Sequence, residues 1–130
     1  MKLYLNILLL VLLPITGYGQ NSCEKFKEGK FKFTDPNSQK VIIITRKGDV
    51  QTEKILDSDE IYDFNLKWID SCTYTISPTP ATIKRKKEVA ELGTMTVKIT
   101  PASDSSYVQV ARVANSPKFK RRDEVFIIEE

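Results

Sequence analysis

The most regular stretch of the chain is Tyr62-Asp63-Phe64-Asn65-Leu66-Lys67-Trp68, where large apolar side chains alternate with polar ones. A period of two puts Tyr62, Phe64, Leu66 and Trp68 on one face of a strand and Asp63, Asn65 and Lys67 on the other. Residues 72–76 repeat the pattern after an Asp70-Ser71 turn. Residues 30–34 alternate in the same way, with Phe31 and Phe33 on one face. The β-branched run 41–45 reads as a buried strand. Residues 50–54 return from the Lys47-Gly48-Asp49 turn as the second arm of a hairpin. Three more strands are expected over 94–100, 106–113 and 124–128. Pro101-Ala102-Ser103-Asp104 joins the first two of these, and Asn115-Ser116-Pro117 breaks the chain before the last.

Residues 81–92 carry no such period and read either as a short helix or as a basic hairpin loop. Seven to eight short strands with polar turns, each wet on one face and dry on the other, predict an all-β fold. The expected form is an antiparallel meander or small lipocalin-like barrel, with a β-sandwich as the alternative. The expected core is Phe31, Ile42 or Ile43, Phe64, Leu66, Trp68, Tyr74, Val97, Ile99 and Val110.

The N-terminus follows a different pattern. Met1-Lys2 is a short basic start, Ile7 to Leu13 is an unbroken apolar run, and Pro14 ends it before Gly17-Tyr18-Gly19. This is the layout of a secretory signal peptide, residues 1–19, cleaved between Gly19 and Gln20. The run is too short to span roughly 30 Å of hydrocarbon, so no transmembrane span is expected. Gln20-Asn21-Ser22 before Cys23 does not fit a lipid-attachment site. The remainder, 20–130, reads as one secreted or periplasmic β domain. At roughly 111 residues it buries about two-thirds of its unfolded surface.

Export changes the reading of the cysteines. The chain has two, Cys23 and Cys72, and an even pair in an oxidising compartment is expected to be joined. Closing a loop of this length is worth about 4 kcal/mol in the chain-entropy account.

Charge narrows the partners. With 20 Lys and Arg against 17 Asp and Glu, the chain is near neutral and lacks a nucleic-acid footprint. Lysines and aromatics also fall on opposite strand faces, so they form no joint stacking surface. Lys84-Arg85-Lys86-Lys87 is the densest basic run. It belongs at an exposed turn, because four successive charges cannot enter a dry face unpaired. As a binding patch it would suit an anionic glycan or lipid headgroup.

Catalytic chemistry is poorly supplied. The chain contains no histidine, which removes the commonest base and metal ligand and leaves a cysteine or serine nucleophile such as Ser105 or Ser106 without its usual partner. Carboxylate chemistry would have to draw on Glu53, Asp57, Asp59, Glu60 or Asp63. No metal site or cofactor is expected, since Asp57-Ser58-Asp59-Glu60 lacks the spacing and glycine of a calcium loop. The stripe Phe31, Phe64, Leu66, Trp68 and Tyr74 is either core or the wall of a ligand cavity. The expected function is non-enzymatic binding of a small apolar ligand or a protein partner. The alternatives are a purely structural or interaction module with a solid core, and a carboxylate-based hydrolase.

A resemblance adds to this. Cys23-x-x-Phe26-x-x-Gly29-x-Phe31, then Ile44-x-Arg46 with Gln51-x-Glu53, then Lys67-Trp68-x-x-x-Cys72-x-Tyr74, resembles a group of small exported proteins of Bacteroidota, over roughly residues 20 to 110. It implies export and a paired cysteine, and supplies no reaction. Gly29-x-Phe31 is more loosely similar to the Gly-x-Trp opening of lipocalins. Phe replaces Trp and the chain is short, which implies a barrel without a roomy cavity.

Overall fold

A computed structural model describes residues 22–128. The expected signal peptide and its cleavage point lie outside the described residues. Eight strands form a closed antiparallel barrel in which each strand pairs with its neighbours in sequence and β8 returns to β1. They are β1 Gly29–Thr34, β2 Val41–Lys47, β3 Val50–Ile55, β4 Ile61–Trp68, β5 Thr73–Pro78, β6 Met95–Ser103, β7 Ser106–Val113 and β8 Ser116–Ile127. Full closure removes the exposed edges that an open meander would leave.

The registers line up the inward side chains in layers. Phe31 faces Ile44, Ile44 faces Glu53, and Glu53 faces Tyr62. Phe64 faces Pro78, Leu66 faces Ile76, and Trp68 faces Tyr74. Phe31, Phe64, Leu66, Tyr74, Val97 and Ile99 are buried as expected. Of the pair Ile42 or Ile43, Ile42 packs against the core, and two other core expectations, Val110 and Trp68, need correction. Ile43 points outward, and the β2 residues facing inward are Ile42, Ile44 and Arg46, of which Ile44 and Arg46 are buried. Val110 also points outward, because Tyr107, Gln109, Ala111 and Val113 occupy the inner positions of β7. Trp68 is only half-buried, at the rim of one end.

Two strands run longer than the proline positions suggest. β6 continues through Pro101, which sits opposite Tyr107 beside a register shift. β8 begins at Ser116, and the register slips between the Ala111–Arg121 and Val113–Ser116 pairs. Proline is accommodated at such irregularities because its missing N–H interrupts no ladder bond. The second irregularity brings Phe119 to one mouth of the barrel.

The uncertain stretch after β5 is helical: α1 Pro80–Arg85 and α2 Glu88–Glu91. Thr79 caps α1 by accepting from the Thr82 N–H at 3.3 Å, with Pro80 at the first helical position. Thr82 then pins the helix to β4. Its hydroxyl donates to the Asp63 carbonyl at 2.8 Å and accepts from the Asp63 N–H at 2.9 Å. Gly93, at φ +72°, ends α2, and a Cβ there would meet Asn115 Nδ2 at 2.9 Å. This glycine lets the helices fold back beside the β7–β8 turn. Among the described residues, no helix is long and apolar enough to cross a membrane.

Candidate functional site

The two ends of the barrel are built differently. One end is plugged by the 3-10 turn Glu24–Phe26, which the Cys23–Cys72 disulfide ties to the start of β5 with a Cα–Cα distance of 5.4 Å. Phe26 and Tyr107 are fully buried here, with ring centroids 4.8 Å apart.

Arg46 points into this plug and is 1% exposed. Its Nε donates to Gln51 Oε1 at 2.8 Å and its Nη1 to the Phe26 carbonyl at 2.9 Å. Its Nη2 donates to the hydroxyls of Tyr74 at 2.8 Å and Tyr107 at 2.7 Å. The guanidinium also lies over the rings of Phe31 and Tyr74, 4.8 Å from each centroid. Burial works against the charge, but the two tyrosines hold the group more firmly protonated than an ordinary arginine. Burial in turn pushes both tyrosine hydroxyls up, against the pull of Arg46, so they act as neutral acceptors. This end is a closed polar network inside an apolar shell.

The opposite end holds a cavity of about 360 Å³. Phe33, Ile42, Phe64, Ile76 and Met95 form its apolar wall, while Val89, Leu92 and Phe119 overhang it from the α2 and β8 sides. Glu53, Gln109, Arg121, Asp123 and Lys86 are its polar members. Arg121 is already engaged. Its Nε and Nη2 donate to the two carboxylate oxygens of Asp123 at 2.8 and 3.2 Å, and Nη2 lies 3.5 Å from Asp35 Oδ1. The Asn37 N–H, with a lesser contribution from Arg121, holds the Asp35 carboxyl below its usual range, although burial opposes it by more than Arg121 adds.

Two groups in the cavity wall are not engaged. Gln109 is 7% exposed, and its Oε1 is buried with no hydrogen-bond partner among the described residues. Buried polar atoms are rarely left in that state. Glu53 is half-buried, and among the described residues no hydrogen bond supports its carboxylate. Burial pushes its carboxyl up to about 7, although the charges of Arg46 and Arg121 pull it down. A carboxyl set this way changes charge near neutral pH.

The residues singled out from sequence are scattered across this arrangement. Of the aromatic stripe, only Phe64 lines the cavity. Phe31 and Tyr74 pack around Arg46, Leu66 is buried in the core cluster, and Trp68 lies under Lys27 at 5.2 Å on the plugged end. Lys84, Arg85, Lys86 and Lys87 are all exposed, across the end of α1 and the step to α2. Arg85 donates to the Ile61 carbonyl at 2.8 Å, and Lys86 lies 5.5 Å from the Tyr62 ring at the cavity mouth. Of the carboxylates, Glu53 alone reaches the cavity. Asp57, Asp59 and Glu60 are on an exposed turn, and Asp63 faces outward, accepting from Thr52. Ser106 is buried against Ser103 at 2.7 Å in a hairpin turn, and Ser105 is exposed beside it. Sequence reasoning missed Gln109, Arg121 and Asp123, because a polar residue in an alternating strand normally signals the outer face.

Comparisons with protein-family models, with curated proteins and with solved structures find no match.

Proposed function

We propose that this is an exported, non-enzymatic binding protein that holds a small amphiphile in the open end of its barrel. The carrying observation is the 360 Å³ cavity with the unpartnered Gln109 Oε1 in its wall. Small-molecule sites are typically concave, mostly apolar and about 300–1,000 Å³, with a few polar groups that fix orientation. The cavity is at the small end of that range. The filled opposite end restricts the ligand to one entrance, under Phe119 and α2. The disulfide and the signal-like N-terminus support an oxidising compartment, secreted or periplasmic.

Native mass spectrometry of the protein recovered from its own envelope tests this reading. The expected spectrum shows a chain beginning at Gln20, with a small-molecule adduct that is lost on unfolding. Ala111 is buried in the cavity wall, so Ala111→Phe should remove the adduct while keeping the fold. Bare protein from every growth condition would contradict the proposal.

A second reading has an observation of its own. Val41, Ile43, Leu56, Phe126 and Ile128 line a groove on the outside of the barrel, and Leu56 and Phe126 are 48% and 43% exposed. An apolar surface of this kind favours a protein partner. The hydrolase reading finds Glu53 and Asp123 in one cavity wall. Both Asp123 oxygens are bound by Arg121, which leaves Glu53 without a second free carboxylate.

A further inference from the structure

Four charged side chains border the cavity: Glu53, Lys86, Arg121 and Asp123. Arg121 and Asp123 neutralise each other through two hydrogen bonds, with Asp35 as a further partner of Arg121. Lys86 is exposed at the rim, its ammonium over the Tyr62 ring. Arg46 lies beyond the cavity and spends its donors on Gln51, Phe26, Tyr74 and Tyr107. Among the described residues, Glu53 is therefore the charged side chain of the lining with no hydrogen bond, ion pair or ring contact of its own. Gln109 Oε1, buried without a hydrogen-bond partner among the described residues, is an acceptor as well. Two acceptors facing an apolar space call for a ligand that donates hydrogen bonds. A carboxylate among Phe33, Phe64 and Tyr62 favours a positive donor, since ring faces attract cations.

We propose that the ligand of this cavity carries an ammonium head, seated between Glu53 and Gln109, on an apolar body that lies along Phe33, Phe64, Ile76 and Met95. This rests on the reading of the open end as a binding site and adds the chemistry of the head group. Lys86 carries the same kind of group beside Tyr62, which is paired in register with Glu53, so the protein already places an ammonium at this entrance. Burial raises the Glu53 carboxyl to about 7, against the pull of Arg46 and Arg121. An arriving ammonium would favour the carboxylate, with the displaced proton passing to solvent.

The test uses the disulfide-bonded protein and three probes with one tail and three heads: decylammonium, decanol and decanoate. Affinities are measured by calorimetry near pH 8, where the amine and the carboxylate probes are both charged. Decylammonium should bind at least about tenfold tighter than the other two, roughly what one charge-assisted hydrogen bond adds. Glu53→Gln, which keeps size and shape, should erase that preference while decanol still binds. Gln109→Leu should weaken decylammonium more than decanol. Equal affinities, or decanoate bound tightest, would overturn the ammonium inference and leave the cavity reading standing. Failure of all three probes to bind would overturn both.

Discussion

Arg46 at the plugged end and Glu53 at the open end are each a charged side chain turned into the same barrel, two rungs apart on neighbouring strands. Arg46 has four hydrogen bonds and two aromatic faces within 5 Å. Glu53 borders an apolar cavity whose lining also holds an unpartnered amide oxygen, Gln109 Oε1, on β7. Burial opposes both charges, yet only the arginine has been given enough donors and acceptors to stay charged. A buried charge with its bonds complete is part of the architecture. One left incomplete beside an empty volume marks the place where something else is expected to bind.

The largest expected effect comes from breaking the completed end. Arg46→Met should cost about 3–5 kcal/mol, because it strands the Tyr74 and Tyr107 hydroxyls, Gln51 and the Phe26 carbonyl together. Denaturant unfolding measures this. Arg46→Lys should recover little, since an ammonium cannot reach four partners in the planar geometry of the guanidinium. Removing the disulfide with Cys23→Ser and Cys72→Ser should cost somewhat less, up to about 4 kcal/mol in the chain-entropy account. It should also loosen the 3-10 turn that supplies the Phe26 carbonyl. A double mutant with Arg46→Met that is less destabilised than the sum would show the two act as one plug.

The open end should respond to pH, and in the opposite direction to most carboxylates. The Glu53 carboxyl sits at about 7 in the fold against 4.5 for an unperturbed group. The folded state thus keeps a proton that the unfolded chain releases. Stability is fully present below the lower value, falls as pH rises between the two, and levels off above the higher one. The loss should be on the order of 3 kcal/mol. Glu53→Gln should flatten this window and raise stability at alkaline pH, as read from thermal unfolding at several pH values. A protein whose stability rises steadily from mildly acid to neutral pH would show that Glu53 is not held as described.

Trp68→Ala is the smallest of these effects. A fully buried tryptophan would cost about 3–5 kcal/mol. Trp68 is half-buried, with Tyr74 on one side at 4.9 Å and Lys27 above it, so about 2 kcal/mol is expected. Its fluorescence should be that of a partly hydrated indole.

The strands were legible because their period of two is written in residues such as Phe64, Leu66 and Trp68. Closure was not, because it depends on Phe31 meeting Ile127 and Lys32 meeting Phe126, pairs that no local pattern encodes. The helices between β5 and β6 hid behind a basic run, and their anchor is one threonine, Thr82, reaching a backbone carbonyl. The site was the least legible part. In β7 both parities carry apolar residues, Val108 and Val110 on one face and Tyr107, Ala111 and Val113 on the other. Hydrophobicity alone then selects Val110 and misses Gln109. In β2 the continuous run Val41 to Thr45 conceals the parity that turns Arg46 inward. The polar residues that define both ends of the barrel sit where alternation would place apolar ones.

The division between a completed end and an incomplete one is tested most directly by NMR during a decylammonium titration of the folded protein. Signals of the Gln109 side-chain amide and of the Ala111 and Met95 methyl groups should move and saturate, while those of Arg46 Nε and the Ile99 methyl groups stay fixed. Shifts confined to Val41, Ile43 and Leu56 on the outer groove, or shifts at the Arg46 plug, would contradict the account.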